Sequence, residues 1–120
     1  MPATYSIDTE RKLVISQAWG VMTDADVRGH RRKLLSYPLF DRTYRELVDM
    51  SGIAGDLVDL GTKQEISQDQ IFAPGVRRAW VASDDYPFAM ARMYAVAAEK
   101  RGQAIGVFRS RKEAEEWLGL

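Results

Sequence analysis

The sequence predicts an α/β domain of order ββαβαβαβα, with a mostly parallel sheet and an N-terminal antiparallel hairpin. Three observations carry this reading: short apolar runs near 3–19, 45–50, 78–83 and 104–108, helical patterns between them, and turn or capping residues at the junctions. Strands that alternate with helices favour parallel pairing through right-handed crossovers. With no linker, repeat or low-complexity tract, residues 1–120 read as one domain.

Tyr5 and Ile7 alternate with polar neighbours, Asp8-Thr9-Glu10-Arg11 is a polar turn, and Leu13 and Ile15 resume the alternation out to Trp19-Gly20. Thr23 with Asp26 resembles a reciprocal N-terminal cap, and the helix it opens runs from Asp24 to about Tyr37. Val27, Leu34 and Leu35 fall on one face of that helix, and Pro38 lies beyond it. A short apolar strand follows from Arg45 to Met50, ending in the acid-plus-hydroxyl turn Asp49-Met50-Ser51-Gly52. Thr62 with Glu65 has the spacing of a capping box for a short helix to about Gln70, whose apolar face is thin. Phe72-Ala73-Pro74-Gly75 is a turn, and 78–83 is a strand. Asp84 or Asp85 caps the next helix, with Pro87 in its first turn and Gly102 as its left-handed stop. Residues 104–108 form the last strand, and Ser110 with Glu113 caps a final helix through Leu118.

Composition narrows the function. Seventeen basic and seventeen acidic residues cancel, so the chain lacks the broad positive footprint of a nucleic-acid binder. No cysteine is present, which removes thiol catalysis and cysteine-held metal. No secretory leader pattern is visible and no apolar run approaches a membrane span, so the expected location is cytoplasmic. A single histidine, His30, excludes a multi-histidine metal site and has no identifiable catalytic partner. The glycines at 52, 55 and 61 do not match a phosphate cradle. No metal or cofactor is expected.

Two features remain. Asp49 lies inside an apolar strand next to Ser51, at the strand end where α/β domains place their working loop. With Asp56, Ser83 and Asp84, these residues are the candidate binding surface. The stretch Phe88 to Ala98 has one polar residue, Arg92, and is apolar almost all round. A helix on a sheet buries one face only, so Phe88, Met90, Met93 and Tyr94 are candidates for a homodimer interface.

The strings Tyr5-Ser-Ile-Asp8, Leu47-Val-Asp49, Phe72-Ala-Pro-Gly-Val-Arg-Arg-Ala79, Phe88-Ala-Met-Ala-Arg-Met-Tyr94, Val107-Phe-Arg109 and Glu116-Trp-Leu118 carry a family resemblance. In element order and in these strings the chain resembles the bacterial STAS/SEC14 domain-containing, SpoIIAA-like proteins of unknown function. The resemblance implies a SpoIIAA-like (STAS-like) fold. In the anti-sigma-factor antagonists of the STAS family, a loop soon after the corresponding strand carries an Asp-Ser pair whose serine is phosphorylated. Here Asp56 is followed by Leu57, so that phosphoswitch does not carry over and Ser51 is the nearest hydroxyl. The SEC14 likeness implies a lipid-carrying cavity, for which a pocket shared by two copies offers more room than one small chain.

The resulting expectation is a non-enzymatic interaction or small-ligand module, homodimeric, docking a protein or a small anionic or lipid ligand. The alternative is a lipid or anion carrier, or an enzyme, using Asp49 and Ser51 in a pocket lined by Trp19, Trp80, Met90 and Tyr94. Phosphoregulation at Ser51 is a third expectation.

Overall fold

The structure, a computed structural model, describes residues 3–56, 58–68 and 71–120, apart from the side chains of Asp56 and Ser67. The elements are β1 (Ala3–Asp8), β2 (Leu13–Met22), α1 (Asp24–Ser36), β3 (Arg45–Asp56), α2 (Leu60–Ser67), β4 (Arg77–Val81), α3 (Asp85–Glu99), β5 (Ala104–Phe108) and α4 (Arg111–Leu118). They form one five-stranded sheet in the order β1-β2-β3-β4-β5. The hairpin β1–β2 is antiparallel and the remaining pairs are parallel. The α/β class, the element order and the mixed sheet are those the sequence predicts.

Neighbouring residues of β2 show why the sheet has two apolar faces. Leu13 packs with Leu47, Ala79 and Val81 against Ala114 and Leu118 of α4. Val14, the next residue, points to the opposite face and meets Leu34 of α1 and Phe72. Trp80 of β4, out of phase with Ala79 and Val81, likewise faces the second side, where its ring meets Tyr94 of α3 edge-on at 6.1 Å. The helix α4 therefore covers one face, while α1 and α3 cover the other.

The local signals explain most boundaries. At α1, the amide of Asp26 donates to Thr23 Oγ1 (3.3 Å) and the amide of Thr23 donates to Asp26 Oδ2 (3.0 Å), closing the reciprocal cap. The α4 cap forms through the Glu113 amide to Ser110 Oγ at 3.2 Å. Ala73 to Val76 make a tight turn, with Pro74 setting its first corner and Gly75 at φ +79° its second. Gly102 at φ +86° ends the run after α3, where the Gln103 amide returns to the Ala98 carbonyl.

Three details differ from the sequence reading. The capping box expected at Thr62 and Glu65 does not form: α2 begins at Leu60 with Asp59 in the cap position. Both side chains are engaged elsewhere, because Arg28 of α1 donates to Thr62 Oγ1 (3.1 Å) and to Glu65 Oε2 (2.9 Å). The predicted end of this helix at Gln70 lies outside the described residues. Strand β3 does not stop near Met50 but continues to Asp56, because β2 also continues past Trp19 and pairs with it, Val21 opposite Gly55 and Met22 opposite Asp56. Leu35, expected on the buried face of α1, is exposed, leaving Leu34 as the buried residue of that helix.

Candidate functional site

The extension of β3 changes the surroundings of Asp49. Gln17 pairs with Asp49 and Trp19 pairs with Gly52, so two residues of β3, Met50 and Ser51, stand opposite Ala18 alone. Such a bulge frees a backbone N–H from the ladder. Asp49 Oδ1 accepts the Ser51 amide at 2.9 Å and the Ser51 hydroxyl at 2.5 Å. The acid and hydroxyl thus satisfy each other and shape the bulge. Asp49 pairs with Val81, which belongs to the core under α4, so its side chain lies on the α4 face of the sheet.

On the opposite face the same bulge turns Met50 into an apolar cavity of about 430 Å³. Its floor is the C-terminal half of the parallel strands: Ala18 and Met22 of β2, Met50 and Ile53 of β3, and Trp80 of β4. Its walls are Val27 of α1, Ile66 of α2, and Met90, Ala91 and Tyr94 of α3. The eight-residue α2 packs beside α3 and lends Ile66 to the wall. Small residues at the wall, Ala18, Ala54, Gly55 and Ala91, leave the volume open. The carboxyl ends of parallel strands are where open α/β sheets bind their ligands, and ~300–1,000 Å³ is the usual range for a small-molecule site.

The wall is apolar by arrangement. Trp80 turns its Nε1 away to donate to Glu46 Oε1 at 3.0 Å, leaving its ring for the cavity. Asp84, at the cap position of α3 but with no side-chain cap bond, is the one carboxylate among the described lining residues. Among the described residues, no histidine or lysine lines the cavity. Among the described residues, no group of three or more His, Asp or Glu side chains is placed to hold a metal ion.

The candidates named from sequence divide accordingly. Trp80, Met90, Tyr94 and Asp84 line the cavity, whereas Asp49, Ser51 and Trp19 do not. The side chain of Asp56 and all of Leu57 lie outside the described residues. Ser83 is exposed, and its carbonyl accepts Arg109 Nη1 at 3.2 Å. The same guanidinium pairs with Asp85 at 2.6 Å and lies 4.1 Å over the Phe88 ring, covering it. Of the four helix residues proposed for an interface, Met90 and Tyr94 turn to the cavity and Phe88 lies under Arg109, while Met93 points to solvent. Sequence reading missed Met22, Met50, Ile53, Val58 and Ile66; the small residues Gly52, Ala54 and Gly55 after Met50 are the signal the chain offers for open space there.

His30, on α1, is half-buried, and its ring meets Tyr5 of β1 edge-on at 5.4 Å. Burial pushes its pKa below the ordinary histidine value, with Glu46 acting against and Lys33 with that shift. It is a packing residue away from the cavity lining.

No described helix is long and apolar enough to cross a membrane. No protein-family model matches the chain, and no curated protein matches it. Among solved structures the chain is similar to an uncharacterised protein of the DUF3478 family with a SpoIIAA-like fold from Shewanella loihica PV-4. The two share 16% sequence identity, and the match covers 97% of this chain and 93% of the other, with a TM-score of 0.65. At that identity the likeness establishes the fold: the chain has a SpoIIAA-like architecture.

Proposed function

We propose that this chain is a non-enzymatic module that binds a small apolar molecule in the cavity between α1, α2, α3 and the strand ends. The observation that carries the reading is a cavity of ligand size whose wall is almost wholly apolar and whose nearest indole has its polar atom committed elsewhere. The catalytic alternative required Asp49 and Ser51 in the pocket, and both lie outside it. Titration with straight-chain alcohols of increasing length tests the reading. Affinity is expected to rise by about 0.8 kcal/mol per methylene until the cavity is full, then level off. Affinity independent of chain length, or no binding, overturns it.

A second reading, self-association, is favoured by the outer face of α3. Tyr86, Ala89, Met93 and Val96 recur at alternating three- and four-residue steps and all are exposed, Met93 by 66%. An antiparallel pair of α3 helices about a two-fold axis near Met93 joins these stripes. Light scattering after size exclusion is expected to show a dimer at tens of micromolar, and Met93→Arg is expected to dissociate it. A wild-type monomer at that concentration overturns the pairing.

A further inference from the structure

We infer that the natural ligand of this cavity is an organic cation, its ammonium group held at the α3 rim by Asp84 and the neighbouring aromatic rings, its apolar body inside. The inference rests on the small-ligand reading above and specifies the chemistry of the occupant. Its first support is a carboxylate that the fold does not use. Thr23 and Ser110, in the cap positions of α1 and α4, accept a helix amide with their side chains, whereas Asp84 in the same position of α3 accepts none. Asp85 beside it is already paired, since Arg109 reaches it at 2.6 Å. The charge left over at this rim is therefore that of Asp84, and Asp84 lines the cavity.

The second support is the aromatic part of the wall. Trp80 lies on the strand floor, Tyr94 meets it edge-on at 6.1 Å, and Tyr86 is exposed in the first turn of α3. The faces of such rings attract a cation, more strongly where water is excluded. Trp80 already has the Arg78 guanidinium 5.6 Å from its centroid, but that charge is matched by Glu46 and lies outside the lining. Among the described lining residues there is no Lys, Arg or His to offset Asp84. A cationic ligand supplies that charge.

The same residues set the orientation. Asp84 and Tyr86 are both exposed where α3 begins, so a charged group beside them keeps part of its hydration. The apolar body then lies over Met50 and Ile53, against Met90 and Ala91. An anion meets the reverse, a like charge at the rim and no basic partner among the described lining residues.

Calorimetric titration with octyltrimethylammonium, octanol, octanoate and tetramethylammonium, on the wild type and on Asp84→Asn, tests the assignment. A quaternary ammonium is charged at every pH, and Asn keeps the size and the capping tendency of Asp. The wild type is expected to bind octyltrimethylammonium about tenfold more tightly than octanol, the combined gain of one exposed ion pair and one ring contact. Octanoate is expected to bind more weakly than octanol. In Asp84→Asn, shown to be folded by its circular dichroism, the preference for the cation over octanol is expected to fall to about threefold, the part carried by the rings. Equal wild-type affinities for the cation and octanol, or tighter binding of octanoate, overturn the cationic ligand and leave the cavity reading standing. Failure of all four to bind overturns the two together. Tetramethylammonium binding as tightly as its octyl homologue, or an Asp84→Asn variant that keeps the full preference, also overturns the assignment.

Discussion

Glu46 and Arg78 are paired neighbours on β3 and β4, and their side chains form an ion pair beneath the helices, with Arg78 Nε 3.0 Å from Glu46 Oε1. The same carboxylate oxygen accepts Trp80 Nε1, and Arg78 Nη1 donates to Gln103 Oε1 at 3.2 Å. Gln103 in turn donates from Nε2 to the Phe72 carbonyl, and the Arg78 guanidinium lies 4.5 Å over the Phe72 ring. The network fastens β3, β4 and the segment entering β5 to the turn before β4. It also holds the Trp80 ring against the cavity.

Removing one partner of this pair is expected to be severe. Glu46→Ala leaves Arg78 and the Trp80 indole N–H without their acceptor, in a site where the two charged side chains are 7% and 13% exposed. The expected loss is about 3–5 kcal/mol in urea unfolding. Glu46→Leu combined with Arg78→Met removes both charges and is expected to recover most of that loss. A single variant that loses under ~1 kcal/mol, the scale of a surface pair, would show that the pair is solvated.

Gly106 on β5 is expected to resist substitution for a steric reason. A Cβ there would lie 2.8 and 2.9 Å from two ring atoms of Phe108 and 3.2 Å from Trp117. Phe108 and Trp117 already pack together at 5.4 Å and border the core under α4. Gly106→Ala forces this pair of rings apart and is expected to cost about 1–3 kcal/mol. Thermal unfolding reads the effect, and an unchanged melting temperature would show that the rings move freely.

His30 predicts how stability varies with pH. Burial holds its folded pKa below the ordinary value of 6.5, so the neutral ring is favoured in the fold. As pH falls through about 6.5, the unfolded chain takes up a proton that the folded chain does not. Stability is therefore full above 6.5 and falls below it, until the folded ring also titrates. Asp8 and Asp41, whose pKa values are lowered by hydrogen bonds from Arg11 and Thr43, give up their contributions only at more acid pH, below about 3.8. With one histidine in the chain, His30→Gln is expected to flatten the fall of the urea midpoint just below about pH 6.5. A slope that survives the substitution would assign it to another group.

How far the sequence could be read depended on whether the signal was local. Thr23 with Asp26, Ser110 with Glu113, Pro74-Gly75 and Gly102 are decided within a few residues, and each boundary they predict is present. Thr62 with Glu65 has the same local form but is overridden by Arg28, 34 and 37 residues away along the chain. The end of β3 was misplaced for a related reason: it is set by how far β2 runs beside it, which no feature of 45–50 contains. The cavity was only partly legible. Trp80, Met90 and Tyr94 line it as expected, whereas Asp49 and Ser51 do not, because the face that each side chain of β3 takes is set by its pairing with β2 and β4.

The last expectation sets stability against binding at the cavity floor. Ala18 is 7% exposed, sits on β2 and lines the cavity, so added carbon at its Cβ enters open space instead of packed core. Valine suits a strand and supplies two methyl groups. Ala18→Val is expected to raise unfolding stability by about 1 kcal/mol, as buried apolar area replaces void. The same methyl groups occupy ligand volume, so the alcohol series should level off at a shorter chain than in the wild type. Calorimetry across the series checks this directly. An unchanged chain-length limit together with the stability gain would mean that ligands bind elsewhere, because a cavity that holds the ligand cannot be partly filled without shortening what it holds.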